Sequence, residues 1–170
     1  MELKEYIGME FEALERNFTR ATNGLTHQEY MWKPACGCNS IGLILFHMTR
    51  SEDTHVQARM QNKPLIWVAE KWYQKLNLDE NDAGMHYTPE QVNAFQVPDS
   101  NDLLTYYNTV RAQTLAYLKN ISPETFDKIV TVPRFGERSI GRLFSMVTGH
   151  GALHIGEMAY LRGIQRGLDK

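Results

Sequence analysis

The sequence predicts an all-α protein, a four-helix bundle with a long crossover and extra short helices, on three observations. Apolar residues recur every three or four positions over four long stretches, the period of a helix with one buried face. Capping residues stand at the heads of those stretches, with prolines and glycines between them. The second and third stretches are separated by a long polar segment that reads as a crossover. At 170 residues the chain fits one domain, 1–170, able to bury a full core without disulfides.

The first long helix repeats Leu3, Ile7, Phe11, Leu14 and Phe18 with charges between them, to about Thr19, and Asn23-Gly24 ends it. Thr26-His27-Gln28-Glu29 is a capping box that opens one short turn before Lys33-Pro34, leaving His27 at the surface. Ser40 caps the second long helix, which runs through Ile41, Ile44, Leu45, Met48, Glu52 and Val56 to about Met60, where Asn62-Lys63-Pro64 closes it. The crossover starts with a short helix bearing Trp67, Trp72 and Tyr73. A polar loop follows from Asn77 to Tyr87, with Gly84 and an exposed His86, and then a second short helix opened by Thr88-Pro89-Glu90-Gln91. Ser100 or Asp99 caps the third long helix, with Leu103, Leu104, Tyr107, Val110, Thr114, Leu115 and Leu118 on its apolar face. Ser122-Pro123 begins another short helix, and Ile129 to Pro133 is a β-branched run of extended character ending near a turn at Gly136. Ser139 caps the fourth long helix, which frays around Gly163 and Gly167.

Composition excludes several functions. With 18 basic and 20 acidic residues and a formal net charge of -2, in no block of one sign, the chain carries no electrostatic footprint for nucleic acid. No segment approaches the roughly 18 unbroken apolar residues of a membrane helix, and the charged N-terminal residues are not a secretory signal, so a soluble cytoplasmic protein is expected. The two cysteines, Cys36 and Cys38, are separated by one glycine; the short ring strains a disulfide, and free thiols in a reducing compartment are expected. A redox or metal-accessory thiol is the sharper alternative.

Chemistry concentrates on the fourth long helix. Ile140, Leu143, Val147, His150, His154, Met158 and Leu161 form its inward stripe, so two imidazoles four residues apart project from one buried face, one turn above the other. That pair can chelate one metal ion but falls short of the three protein ligands of a catalytic site. His47, beside the apolar stripe of the second helix, is the natural third ligand. His55 lies eight residues further on, a rise of roughly 12 Å, so both cannot reach one ion. Inert core histidines are the plain alternative. Gly151, Ala152 and Leu153 between the pair exclude an H-E-x-x-H zincin, and one Glu52-x-x-His55 falls short of a carboxylate-bridged di-iron bundle. Glu52 and Glu157 are candidates to orient a ligand's second nitrogen or to accept a proton. Gly149, Gly151 and Gly156 each cost the helix of the order of 1 kcal/mol, which close helix approach or room for a bound group would offset.

The chain resembles the DinB-like superfamily of DinB/YfiT-like metalloenzymes. The resemblance is carried by Ser40 to Met48 with His47, by Glu52, by the Trp67 and Trp72 crossover, by the Leu103 to Leu118 helix with Tyr106-Tyr107, and by His150-x-x-x-His154-x-Gly156-Glu157 ending in Leu161-Arg162-Gly163. It implies a four-helix bundle in which His47, His150 and His154 bind a divalent metal, nickel or zinc above all, and a homodimer. Similar proteins include bacillithiol- or mycothiol-dependent S-transferases and a maleylpyruvate isomerase, while others are labelled hydrolases. The resemblance therefore implies a metal-dependent transferase joining a low-molecular-weight thiol to a small electrophile in a pocket lined by the tryptophan crossover. A hydrolase using metal-bound hydroxide and a non-catalytic metal-binding module are the alternatives.

Overall fold

The computed structural model describes residues 1–133 and 135–167, so the far boundary of the expected domain 1–170 lies outside the described residues. In chain order its helices are α1 (Leu3–Thr22), α2 (His27–Met31), α3 (Ile41–Asp53), α4 (Ile66–Ala69), α5 (Trp72–Lys75), α6 (Pro89–Ala94), α7 (Ser100–Asn120) and α8 (Ile140–Arg166). A π-helical segment, Thr54–Met60, continues α3, and a 3₁₀ turn, Pro123–Asp127, follows α7. The long helices close a ring in which α1 packs on α8, α8 on α3, α3 on α7 and α7 on α1, the expected four-helix bundle.

Local chemistry starts these helices where the sequence places their caps. The Ser40 hydroxyl accepts the Leu43 N–H at 3.2 Å, and Ser139 accepts that of Arg142 at 3.2 Å. Asp99, rather than Ser100, caps α7 through the N–H groups of Asn101 and Asp102. Thr26 and Thr88 form their capping boxes with Glu29 and Gln91. The core between the long helices is aromatic: Phe18 stacks on Tyr107 at 4.0 Å, and Phe11 meets Phe144 edge-on at 6.4 Å.

Several features depart from the sequence reading, beginning with the first short crossover helix, which is two, α4 and α5. The second long helix does reach Met60, but it widens into the π segment after Asp53. The β-branched run becomes β1 (Ile129–Val132), and it pairs antiparallel with β2 (Gly136–Ser139), Val132 opposite Gly136. The Gly-Glu-Arg-Ser sequence of β2 has little β-propensity of its own, so its pairing comes from the turn and the partner strand. On α7, Leu115 is 40% exposed, while Tyr106 and Arg111 are buried. Finally, of the three glycines singled out on α8, only Gly151 faces a neighbour, in that a Cβ there would lie 3.5 Å from Leu14 of α1, whereas Gly149 and Gly156 face open space.

The crossover is fastened to α3 by buried polar groups. Both carboxylate oxygens of Asp53 cap α4, accepting from the N–H groups of Ile66 and Trp67 at 3.0 Å, and the Tyr106 hydroxyl donates to the same carboxylate at 2.9 Å. Trp67 Nε1 donates to the Glu80 carbonyl at 2.8 Å, and Arg50 Nε to that of Asp82 at 3.0 Å. These bonds draw the loop after α5 down onto α3. Gly84, at φ +66°, arrives so close that a Cβ there would lie 2.9 Å from the Phe46 ring and 3.1 Å from the His47 Cα.

Candidate metal centre and its cavity

His47 on α3 and His150 and His154 on α8 meet where those two helices pack. The Nε2 atom of His150 lies 3.1 Å from that of His47 and 3.0 Å from that of His154. Two nitrogens each about 2.05 Å from one ion would be about 2.9 Å apart at a right angle and about 3.4 Å apart at the tetrahedral angle, which brackets both distances. The described residues contain this one cluster of histidine, cysteine or carboxylate side chains able to hold a metal ion.

Proton bookkeeping favours a cation at the centre. The Glu157 carboxylate sits 2.7 Å from Nδ1 of His154, which places the proton on Nδ1 and leaves the Nε2 lone pair facing His150. The Nε2 of His150 then meets two other ring nitrogens and can offer a single proton between them. At least one close N···N contact lacks a full hydrogen bond, and a shared cation satisfies all three lone pairs. Burial, reinforced by the neighbouring imidazoles, lowers the pKa of His150 to about 3 and pushes His47 down as well, so both rings are neutral at pH 7, the ligating form. The donor set therefore fits a divalent ion held by imidazole, with room for further ligands.

That room is a cavity of about 750 Å³ bordered by all three rings. Its apolar wall includes Leu43, Ile44, Val132, Phe135, Met146 and Val147, so the hairpin and α8 build much of it. The loop from Gly84 to Tyr87 closes one side. Trp67 and Trp72 do not line it, contrary to expectation: both are buried against Tyr106, at ring separations of 5.4 and 5.3 Å, in the core on the α7 side.

The remaining histidines separate as their spacing requires. His55 borders the cavity, but its Nδ1 donates to the Ser51 carbonyl at 2.8 Å, and it is not one of the converging nitrogens. His86 is an exposed loop residue that also borders the cavity, and His27 is exposed on α2.

The two candidate carboxylates have different surroundings. Glu157, one turn along α8, accepts from the Nδ1 of His154 at 2.7 Å. Glu52 is buried and is held bidentately by Arg111 of α7, at 3.1 and 2.8 Å, and it does not border the cavity. The reason is that Arg111, packed over the Phe11 and Tyr107 rings, is itself buried and needs a counter-charge. Sequence reasoning overlooked Arg59, a cavity residue on the π segment, although it continues the four-residue steps of His47, Ser51 and His55.

Comparison with known proteins agrees with this architecture. No curated protein matches the chain. A solved structure described as the conserved protein of locus from Enterococcus faecalis superposes with a TM-score of 0.83 at 20% identity, covering 96% of this chain and 97% of its own. A family model described as the DinB superfamily matches residues 10–158. With the bundle and its crossover as described, the chain belongs to the DinB superfamily.

Proposed function

We propose that the protein is a divalent-metal-dependent transferase that joins a low-molecular-weight thiol to an electrophilic small molecule. One observation carries the reading: three Nε2 atoms from two helices converge on the wall of a cavity large enough for a small substrate. A divalent ion bound there, nickel or zinc suiting an imidazole set best, supplies Lewis acidity that raises the thiolate fraction of a thiol at neutral pH.

The chain's own residues do the rest. His47, His150 and His154 are the proposed ligands. Glu157 fixes the tautomer of His154 and takes up part of the positive charge felt by that ring. The apolar wall excludes water and seats the electrophile's body. Glu52, engaged with Arg111, ties α3 to α7 rather than handling protons in the cavity. None of the described cavity residues is Asp or Glu; a thiol, with a pKa of about 8.5, releases its proton to solvent far more readily than free water does, which favours the transferase over a hydrolase that would need His55 or His86 as its base. The free thiols of Cys36 and Cys38 support a reducing, cytoplasmic setting. Exposed Leu153 and Tyr160 on α8 support a homodimer, which sedimentation at micromolar concentration tests.

The deciding experiment is elemental analysis of the purified protein beside a His150→Ala variant, followed by panels of thiols with electrophiles and of esters and amides. Near-stoichiometric metal in the parent, its loss in the variant and thiol-dependent turnover are expected. Equal metal in both proteins overturns the ligand assignment, and thiol-independent cleavage of esters or amides replaces the transferase with the hydrolase.

A further inference from the structure

Arg59 borders the same cavity as the three imidazoles, and the backbone has been bent to bring it there. His47, Ser51, His55 and Arg59 follow one another by four residues. In an α-helix each such step over-rotates by about 40°, so Arg59 would lie roughly 120° around the axis from His47. The π segment from Thr54 to Met60 has wider turns, which take up that excess, and all four residues face the cavity.

Arg59 is half-buried and, among the described residues, makes no hydrogen bond or ion pair. No described cavity residue is acidic, so the wall itself holds no counter-ion for it. A guanidinium with its donor fork free, at the side of an apolar cavity, is a receptor for a planar anion. Among the described residues at its end of the cavity Arg59 is the one permanently charged side chain, so it neutralises a monoanion there and leaves a phosphate dianion half-compensated, which favours a carboxylate.

We infer that the cavity takes a small molecule whose carboxylate pairs with Arg59 and whose apolar body lies along Leu43, Val132, Phe135 and Val147 toward the three imidazoles. The backbone positions of His47 and Arg59 are at most about 18 Å apart along the helix, and both side chains shorten the span. This names the substrate class of the transferase proposed above, and it rests on that reading only for the end of the molecule nearest the histidines.

The test is calorimetric binding of 4-phenylbutyrate and its uncharged counterpart 4-phenylbutyramide to chelator-treated and metal-loaded protein, in the parent and in Arg59→Gln and Arg59→Lys. The acid is expected to bind the chelator-treated parent roughly tenfold or more tightly than the amide. Arg59→Gln should abolish that preference and Arg59→Lys retain part of it. Equal affinities in the parent, no binding of either probe, or a preference that survives Arg59→Gln overturns the inference. A preference that appears only with metal and survives Arg59→Gln assigns the carboxylate to the ion, refuting the role of Arg59 while leaving the metal reading standing. Failure to take up metal refutes the metal reading and leaves the comparison in chelator-treated protein intact.

Discussion

Replacing Gly84 by alanine probes how the crossover loop holds His47. The residue has φ +66°, where an alanine costs about 1–2 kcal/mol, and the new Cβ would sit 2.9 Å from the Phe46 ring and 3.1 Å from the His47 Cα. Because the second neighbour is backbone, the loop must lift, adding an overpacking cost of about 1–3 kcal/mol. Gly136 is the matched control: its φ is +71°, and a Cβ there meets nothing within 4 Å, so Gly136→Ala carries the backbone cost alone. At about 2–4 °C per kcal/mol for a chain of this size, Gly84→Ala should melt several degrees below Gly136→Ala. It should also hold less metal, because the ring of His47 follows its backbone. Differential scanning calorimetry and elemental analysis on both variants provide the readout. Identical melting temperatures and metal contents would refute the close approach as the device that positions His47.

Three further outcomes are expected. Glu52→Gln leaves Arg111 buried without its counter-charge and should destabilise the protein to urea by about 3–5 kcal/mol, whereas a Glu52→Leu, Arg111→Met double variant should cost much less. His55→Ala should keep the parent's metal content, because that ring is engaged with the Ser51 carbonyl and lies outside the converging trio. The Arg166 guanidinium, with help from the Thr26 backbone, holds the pKa of Glu29 down from 4.5 to about 2. Its stabilisation is therefore complete above pH 4.5 and lost as pH falls through 2, so melting temperatures of the parent and Glu29→Gln should converge over that window.

Much of the scaffold could be read locally. Ser40, Thr26, Thr88 and Ser139 cap their helices where the sequence places them, because an N-cap depends on residues within one turn. The histidine trio was legible for a related reason: the i, i+4 pair is local, and His47 lies on the flank of a buried stripe. What escaped depends on distant contacts. The fate of Glu52 is decided by Arg111, 59 residues away. A signal was present all the same, since Tyr107, Arg111, Thr114 and Leu118 fall on one helical face, and an arginine on a buried stripe requires an acidic partner. The cavity wall escaped because Phe135 and Val132 reach it through a hairpin whose second strand has no strand pattern of its own. The tryptophans, read as pocket lining, instead anchor the crossover through the Trp67 backbone and indole N–H groups.

The separation of His47 and His150 by 103 positions has a thermodynamic corollary. In the denatured chain, bringing those two rings together means closing a loop that costs on the order of 4 kcal/mol in entropy, whereas the native bundle presents them already assembled. An ion that engages all three nitrogens thus discriminates strongly between the two ensembles and acts as a clasp across the α3–α8 seam. At a hundredfold excess over its dissociation constant, such a clasp adds about 2.7 kcal/mol, so the melting temperature itself becomes a gauge of occupancy.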